Sequence, residues 1–317
     1  MTGFDIAGRH IGDGSPCLIV AEVAQAHEGS LSLAHAYIDA IADAGADAVK
    51  FQCHIAAAES TLDEPWRVEP KWAQDANRYE YWRRMEFSGE QWAGLAQHAK
   101  DRGLIFLCSP FSVQAVELLN PLVPAWKVAS GEITNYPLLA QIAQTRKPVI
   151  LSTGMANEKE LESAVRALSA MGAPGLALLQ CTSLYPCPPE RVGWSLVQHG
   201  LGPYACHGLS DHSGTIWPSL AAVTLGAAIV EVHVKLSKHD QGFDASSSIT
   251  VEDLGRLVEG VRFIEKAKQP VDKDQMAREL EPMRELFLRK HERREGKIPA
   301  GSGYSYQVSD AVVEIKR

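Results

Sequence analysis

The chain has 317 residues, of which 45% are hydrophobic and 22% are charged, and its formal net charge is −8. A chain of this length can bury one large core or two ordinary ones. The acidic balance argues against a general nucleic-acid or membrane-surface partner, because such proteins normally carry a visible basic surface.

The cysteines and the N-terminal sequence predict the cellular compartment of the protein. The six cysteines lie in or beside predicted strands, without CxxC spacing or the density of a secreted disulfide scaffold, so we expect them to be reduced. The N-terminus lacks a basic segment followed by an apolar signal core, and the apolar run at 17–24 is far too short to span a bilayer. We therefore expect a cytoplasmic protein.

Eight apolar runs rich in Val, Ile and Leu predict buried strands. In chain order they are CLIVAEVA (17–24), DAVKFQ (47–52), LIFLCSP (104–110), AWKVAS (125–130), PVILSTG (148–154), LALLQCTS (176–183), CHGLS (206–210) and IVEVHVKL (229–236). Helical periods separate them, as in NEKELESAVRAL, where Asn157 is a predicted N-cap, and in VEDLGRLVEGVRFIEKA (251–267).

This alternation predicts the fold. Eight strand–helix repeats over about 250 residues are typical of a closed (β/α)8 TIM barrel, here with a short N-terminal extension. The main alternative is a doubly wound open sheet. Its dinucleotide-binding version is disfavoured, because no GxGxxG follows the first predicted strand.

Two segments fall outside the repeat. Residues 53–87 form a long connection after the second predicted strand, and inserts of this kind act as lids, binding loops or subunit contacts. Its aromatic residues are Trp66, Trp72, Tyr79, Tyr81 and Trp82. We expect the barrel domain over 1–268. We expect 269–317 to be a charged C-terminal helix and tail, with little room for another folded domain.

Two late histidine motifs, GLSDHS (208–213) and EVHVKL (231–236), each close a predicted strand. Active groups of a barrel collect at the C-terminal ends of its strands, so His212 and His233 are candidates to bind one divalent metal such as Mn, Zn or Fe. The alternative is that each is a hydrogen-bonded structural residue. The carboxylates that can orient the two rings are those of Asp211, Glu231 and Asp244.

Lysines end two earlier predicted strands, in VKFQ (49–52) and WKVASGE (126–132). Lys50 and Lys127 are candidates to pair with a phosphate or a carboxylate. Further hydrogen bonds can come from the hydroxyls of Ser130, Ser152, Thr153 and Ser210. The alternatives are a salt bridge inside the barrel mouth, and a Schiff-base lysine as in barrel aldolases.

Two acids also stand near predicted strand ends. Glu22 ends the first strand in AEVAQAHEG, and Glu132 follows Ser130 in SGE. Either can position a water or relay a proton, which makes Glu22 a catalytic candidate and Glu132 a substrate-binding candidate. The other interpretation is that each acid neutralises a lysine.

Taken together and in order, these motifs resemble the sialic acid synthase (N-acetylneuraminate synthase) family. The nine motifs are AEVAQAHEG, VKFQ, FLCSPFS, WKVASGEITNYPLL, PVILSTGM, LQCTSLYP, GLSDHS, LGAAIVEVHV and GFDASSS. The resemblance implies an enzyme that condenses phosphoenolpyruvate with the open-chain aldehyde of an aldose, such as N-acetylmannosamine or a related acylamino sugar. The implied products are phosphate and a nonulosonic, sialic-acid-like 3-deoxy-2-keto acid.

The resemblance also implies roles for residues of this chain. His212 and His233 fall at the metal ligands, with Mn²⁺ the usual occupant and Zn²⁺, Co²⁺ or Mg²⁺ as alternatives. Glu22 falls where the family places an acid close to the aldehyde and the attacking water. The positions that bind phosphoenolpyruvate are Lys50, Lys127, Ser130, Ser152, Ser183 and Ser210. The positions that contact the sugar are Gln52, Tyr185 and Asp244.

Three departures from the family pattern affect the sugar site. Members typically continue into a small antifreeze-like domain that supplies an arginine to the sugar's acyl-amino group in a neighbouring subunit, and here EIKR (314–317) stands about where that domain would begin. Ser183 replaces the usual asparagine within the sixth-strand motif, and the residue after the second metal histidine pair is changed, giving HVKL. We expect the insert at 53–87 to supply sugar contacts, within a homodimer.

Two other functions are compatible with the sequence. One is a lysine-dependent pyruvate aldolase, which needs no metal. The other is a non-catalytic barrel that binds a sugar or a phosphate. A non-catalytic descendant would be free to lose the five catalytic candidates, and all are present: Glu22, Lys50, Lys127, His212 and His233.

Overall fold

The computed structural model describes residues 3–12, 14–66, 74–201, 204 and 207–283. It begins with a short antiparallel hairpin of β1 (Phe4–Ile6) and β2 (Arg9–Ile11). Eight parallel strands follow and confirm the predicted barrel. They are β3 (Leu18–Ala24), β4 (Ala48–Cys53), β5 (Ile105–Pro110), β6 (Trp126–Val128), β7 (Val149–Ser152), β8 (Leu176–Cys181), β9 (Gly208–Asp211) and β10 (Ile229–Lys235).

The strands pair in the order β5-β4-β3-β10-β9-β8-β7-β6, and the two ends of this order lie side by side, so the barrel is nearly closed. A two-residue strand, β11 (Ile249–Thr250), pairs with β10 outside the ring. Each predicted strand overlaps an observed one. The chain alternates regularly because a parallel strand pair needs a crossover, and each crossover here contains a helix.

One helix follows each barrel strand on the outside. These helices are α1 (Leu31–Asp43), α4 (Gly89–Asp101), α5 (Val113–Leu119), α6 (Tyr136–Gln144), α7 (Glu158–Ala170), α8 (Trp194–His199), α9 (Trp217–Thr224) and α10 (Val251–Ala267). Asn157 caps α7 as predicted: its side chain accepts from the backbone N–H of Glu160, whose own side chain accepts from the Asn157 N–H.

The insert between β4 and α4 contains two further helices, α2 (Ala56–Glu59) and α3 (Arg78–Met85). The α3 helix is attached to the loop that follows β3, because Arg84 Nη1 donates to the backbone oxygen of Glu28 at 2.8 Å. Gly29 in that loop has a φ of +77°, and a Cβ there would lie 2.2 Å from the Arg84 carbonyl oxygen. Only glycine permits this close approach.

Side-chain alternation along the strands separates two apolar cores. Outward residues such as Ile19, Val49 and Val230 pack against the helices in the larger core. Inward residues near the start of the strands, such as Val20, form a smaller core inside the barrel. Ile6 and Ile11 of the hairpin belong to this inner core. The predicted N-terminal extension therefore closes the barrel at the end where its strands begin.

The chain divides after Lys268 into two units. In the second unit, the described residues 269–283 contain one helix, α11 (Lys273–Glu279). The predicted tail beyond it, with the predicted lack of an antifreeze-like domain, falls in 284–317 and so lies outside the described residues, as do Trp72 and Cys206.

Two further predictions concern the cysteines and membrane-spanning segments. The five described cysteines are all unpaired: Cys17, Cys53, Cys108, Cys181 and Cys187. Within the part of the chain that the structure covers, no helix combines the length and the apolar character needed to cross a bilayer.

Candidate active site

Strand register brings three of the predicted catalytic residues, Glu22, Lys50 and His233, to one level of the barrel interior. In β3, Glu22 is the partner of Lys50 in β4 and of His233 in β10. In β10, Glu231 lies two residues before His233, on the same side of the strand, and is the partner of Ser210 in β9. All of these side chains are buried. They stand above the inner apolar core, toward the C-terminal ends of the strands.

Four charged side chains form a buried cluster, which we call the charged layer: Glu22, Lys50, Lys127 and Glu231. Lys50 makes a close ion pair with Glu22, and its Nζ lies 3.8 Å from Glu231 Oε1. Lys127 Nζ lies 3.3 Å from the same oxygen. Glu231 thus joins the two lysines. The salt bridges considered as the alternative to anion binding are therefore present.

Three serines make hydrogen bonds to the charged layer. Lys50 Nζ donates to Ser109 at 3.2 Å, and Lys127 Nζ donates to Ser152 at 2.8 Å. Ser210 donates to Glu231 Oε1 at 3.0 Å. Ser152 and Ser210 were predicted. Ser109 was not, although its position at the end of a strand in FLCSP is the same signal.

The two glutamates of the charged layer differ in their ionisation. Burial raises the pKa of Glu22 to about 7, even though Lys50 opposes this shift. Burial also acts to raise the pKa of Glu231, but Lys127 and Lys50 outweigh it and lower that pKa to about 2. Two carboxyls whose environments separate their pKa values are typical of sites that perform proton transfer. Glu22 is the one that can gain or lose a proton near neutral pH.

His212 and His233 lie together, with ring centroids 5.2 Å apart. His212 Nδ1 lies 2.9 Å from the backbone oxygen of Thr182, and its Nε2 lies 3.1 Å from the Tyr185 hydroxyl. A carbonyl oxygen only accepts, so Nδ1 carries the proton and Nε2 has an electron pair. The ring of Tyr185 also stacks on His212, with centroids 4.2 Å apart.

The ionisation and contacts of the two histidines fit a metal site. Burial lowers the pKa of His212 to about 4 and that of His233 to about 3, so both rings are neutral at pH 7. His233 Nδ1 is buried without a hydrogen-bond partner, although Asp244 Oδ2 lies 3.7 Å away. Neutral imidazole nitrogens are the form that binds transition metals.

The carboxylates expected to orient the histidine rings have different roles in the structure. Asp244 lies beside His233. Asp211 instead accepts from the backbone N–H of Ser213 at 2.8 Å, and Glu231 belongs to the charged layer. Among the described residues, no group of three or more His, Cys, Asp or Glu side chains is arranged to hold a metal. The protein can therefore offer two nitrogen ligands here.

The remaining predicted residues lie around the mouth. Ser130 and Ser183 join the loops after β6 and β8, with their hydroxyl oxygens 2.9 Å apart. Glu132 is half-buried, and burial raises its pKa. Its described hydrogen bond is a local one, because Asn135 Nδ2 donates to its carboxylate at 2.7 Å. The structure brings Ser130 and Ser183 together but does not join Glu132 to the charged layer.

A cavity of about 330 Å³ lies next to the histidines, and we call it the outer cavity. It contains the three positions predicted to contact a sugar, together with His233 and residues of the insert. Its lining is Gln25, Gln52, Trp66, Arg78, Tyr81, Trp82, Tyr185, His233, Phe243 and Asp244. Gln25, Arg78 and Phe243 were not among the predicted site residues, because their position in the cavity depends on loop conformation.

Aromatic contacts build the wall of the outer cavity. The ring of Trp66 lies 6.2 Å from Phe243, and Tyr81 packs edge-on against the same ring at 5.3 Å. The Arg78 guanidinium lies over Trp82 at 5.7 Å and donates to Glu64 at 2.6 Å. The predicted insert therefore lies beside the predicted sugar positions, where its rings can contact a bound ligand.

Comparison with known proteins identifies the family. The sequence profile described as NeuB family matches residues 37–273. The N,N'-diacetyllegionaminic acid synthase of Campylobacter jejuni is 38% identical over 257 residues, which cover 79% of this chain and 77% of that protein. Human N-acetylneuraminate-9-phosphate synthase is 34% identical over 266 residues, which cover 82% of this chain and 73% of that protein.

A solved structure agrees with these relatives. The N-acetylneuraminic acid (sialic acid) synthetase from Leptospira borgpetersenii matches with a TM-score of 0.75 and 28% identity, over 91% of this chain and 98% of that chain. The family profile and both relatives span most of the barrel described above. The resemblance carried by the ordered motifs is thus confirmed, and the chain is an enzyme that belongs to the NeuB family of synthases.

Proposed function

We propose that the chain condenses phosphoenolpyruvate with the open-chain aldehyde of an acylamino aldose, in a reaction that depends on a divalent metal. A bond forms between C3 of phosphoenolpyruvate and the aldehyde carbon, water adds at C2, and inorganic phosphate leaves. The product is a nonulosonic acid. The observation that supports this most is the charged layer beside two neutral histidines and a sugar-sized cavity.

Lys50 and Lys127 are proposed to hold the anionic substrate. Both ammonium groups are buried in the charged layer, toward the C-terminal ends of the strands, and Ser152 lies within hydrogen-bond distance of Lys127. A phosphate or carboxylate that enters can share the lysine protons with Glu231, whose low pKa keeps it charged. The Ser130 and Ser183 hydroxyls can donate further hydrogen bonds. Binding in this way fixes phosphoenolpyruvate before the carbon–carbon bond forms.

His212 and His233 are proposed to hold the metal, through the electron pair of His212 Nε2 and the unpartnered Nδ1 of His233. Mn²⁺ is the proposed occupant, and when bound it would supply a Lewis acid for the aldehyde oxygen. The Thr182 carbonyl fixes the tautomer of His212 by accepting from Nδ1. A metal held by Nε2 would take the place of the present hydrogen bond between Nε2 and the Tyr185 hydroxyl.

Glu22 is proposed to handle the proton of the attacking water. With a pKa of about 7, its carboxyl is half ionised near neutral pH, so it can accept a proton from water and return it. The ammonium of Lys50 lies against it and stabilises the ionised form. Gln52, Tyr185 and Asp244 are proposed to contact the sugar from the outer cavity. The proposed working form is a cytoplasmic homodimer.

The test is phosphate release from phosphoenolpyruvate by metal-stripped protein, with Mn²⁺ added back, against C5 to C7 aldoses that include N-acylated hexosamines with and without a phosphate. We expect release that requires both the metal and one class of sugar. His233→Ala should abolish release, whereas His199→Ala, which changes an exposed histidine of α8, should not. Sugar-independent or metal-independent release would overturn the proposal.

A second candidate rests on Lys127. Burial lowers the pKa of this lysine, which makes its amine a better nucleophile and favours a pyruvate aldolase that forms a Schiff base. Borohydride reduction in the presence of pyruvate distinguishes the two functions. A stable adduct on Lys127 would support the aldolase, and no adduct together with phosphate release would support the synthase.

A further inference from the structure

His54 is a buried residue outside the proposed catalytic set. Its ring is stacked between Trp82, at a centroid distance of 3.6 Å, and Phe111, at 4.0 Å. Its Nδ1 lies 2.7 Å from Glu59 Oε2, and its Nε2 lies 3.4 Å from Oε1 of Gln52. His54 therefore connects the α2 helix of the insert with a side chain of the outer cavity.

Only one proton is available for these two contacts. Burial lowers the pKa of His54, so the ring is neutral and has a single N–H. Glu59 can only accept, and it already accepts from the backbone N–H of Ile55 at 2.7 Å. The proton of His54 therefore lies on Nδ1, and Nε2 presents an electron pair to Gln52.

An electron pair that faces a carbonyl oxygen is repelled, whereas one that faces an amide N–H₂ accepts a hydrogen bond. Rotation of the Gln52 amide by half a turn exchanges its oxygen and nitrogen at almost no cost in shape. That rotation satisfies His54 and leaves the amide oxygen of Gln52 toward the outer cavity, which Gln52 lines.

We propose that His54, fixed by Glu59, Trp82 and Phe111, is a positioning residue that makes Gln52 present a hydrogen-bond acceptor to the sugar. The acceptor sugar must then offer a hydroxyl or amide N–H donor at that point. This inference rests on the proposed function, because it concerns binding of the sugar. It concerns neither phosphoenolpyruvate nor the metal, since the contacts of His54 reach neither the charged layer nor the two metal-site histidines.

The first experiment separates positioning from packing. His54→Phe keeps an aromatic ring between Trp82 and Phe111 but removes both nitrogens. We expect the KM for the sugar to rise about tenfold, the loss of one well-oriented hydrogen bond, with kcat and the KM for phosphoenolpyruvate changed less than threefold. If His54 only packs, His54→Phe leaves the sugar KM unchanged, and that result would overturn the inference.

A second pair of variants moves the ring proton of His54 from Nδ1 to Nε2 and does not disturb the aromatic stack. In Glu59→Gln, the new amide can donate to His54 Nδ1, which moves the ring proton to Nε2 and turns the Gln52 amide nitrogen toward the sugar. We expect the sugar KM to rise about tenfold as in His54→Phe. Adding Gln52→Glu to Glu59→Gln restores an acceptor on both sides and should recover most of the loss.

The outcomes distinguish this inference from the proposed function. Wild-type protein without turnover on any sugar would defeat the proposed function, before His54 is tested. The inference is supported if the wild type turns over the sugar, Glu59→Gln raises the sugar KM, and adding Gln52→Glu corrects that defect. If Gln52→Glu deepens the defect, Gln52 presents its N–H₂ to the sugar. If Glu59→Gln causes no defect, Gln52 does not contact the sugar. Either result would overturn the inference.

Discussion

Glu22 and Glu231 have the same side chain and lie one strand apart in the charged layer, yet their pKa values move in opposite directions. Glu231 lies near two ammonium groups, at 3.3 Å and 3.8 Å, and accepts from Ser210. Glu22 has one close ammonium, that of Lys50. Burial raises the pKa of Glu22 by more than this ammonium lowers it. The difference assigns the fixed charge to Glu231 and the exchangeable proton to Glu22.

Replacing Glu22 tests this assignment. In Glu22→Gln we expect kcat to fall by about 10²- to 10⁴-fold, the range of general acid–base catalysis, because the amide cannot accept a proton. Binding of phosphoenolpyruvate, measured by calorimetry, should change far less. The matched control is Glu117→Gln on the exposed side of α5, for which we expect no change. An equal loss of kcat and of binding would place Glu22 in substrate binding.

The two histidines make stability depend on pH in a defined window. Their folded-state pKa values lie near 4 and 3, below the ordinary value of 6.5. Above pH 6.5 the histidines are neutral in both the folded and the unfolded chain, and the full stability is present. As the pH falls below 6.5 the unfolded chain binds protons first, so stability is lost toward pH 4. At pH 5 the loss is about 2 kcal/mol for each histidine.

Urea unfolding in EDTA checks this effect. Between pH 7 and pH 5, wild type should lose about 4 kcal/mol more unfolding free energy than a His212→Gln/His233→Gln variant. Glu22 is present in both proteins, so its opposite contribution cancels in the difference. Equal pH dependence of the two proteins would mean that the histidines titrate in the folded protein at their ordinary pKa of 6.5.

The sequence predicted that each proposed catalytic residue lies near a strand end, but it did not predict which residues each one contacts. Alternation along a strand places Glu231 inside the barrel, and the register between strands then decides that it joins Lys50 and Lys127 and does not orient a histidine. Register between parallel strands depends on the packing of the whole sheet, so a single strand sequence contains little information about it. The contact of Ser109 with Lys50 depends on register in the same way, although its strand-end position was visible in the sequence.

The insert is the element for which sequence analysis was least complete. Residues 53–87 were predicted as a long connection, whereas the structure shows helices α2 and α3. Helices of four and eight residues are too short for a clear period, and isolated helices of that length are marginal in water. Contacts made after folding stabilise them, such as the stacking of His54 on Trp82 and the hydrogen bond of Arg84 to the Glu28 backbone.

The aromatic wall of the insert should control the sugar and not the anion. In Trp66→Ala we expect the KM for the sugar to rise about 5- to 20-fold, equivalent to about 1 to 2 kcal/mol of lost ring contact. The KM for phosphoenolpyruvate should stay unchanged. Trp217→Ala, which removes an exposed ring of α9, is the matched control. Unchanged sugar kinetics in Trp66→Ala would leave the insert as a subunit contact.

At the scale of the whole molecule, the barrel was predictable because alternation repeated eight times is a strong signal. The hairpin that closes its lower end was not. Strands β1 and β2 have three residues each, too few for a period, and the polar Arg9 and His10 precede Ile11. Ile6 and Ile11 are buried because the open end of the barrel exposes apolar residues that need a cover.

Truncating the hairpin core should separate stability from activity. Ile11→Ala is expected to lower the free energy of unfolding by about 2 to 5 kcal/mol, the usual cost of a buried cavity. The kcat and KM values of the remaining folded protein should stay the same, since the charged layer lies toward the other end of the strands. Leu196→Ala, a truncation at an exposed position of α8, is the control in urea unfolding.

The charged layer has two lysines and two glutamates, so its formal charges sum to zero when all four side chains are ionised. An incoming anion upsets this balance beside Glu22, the group that titrates near pH 7. Protonation of Glu22 offsets one unit of the added negative charge. Binding of phosphoenolpyruvate should therefore take up a proton from solution, so the heat measured by calorimetry should depend on the ionisation heat of the buffer, and the affinity should weaken as the pH rises.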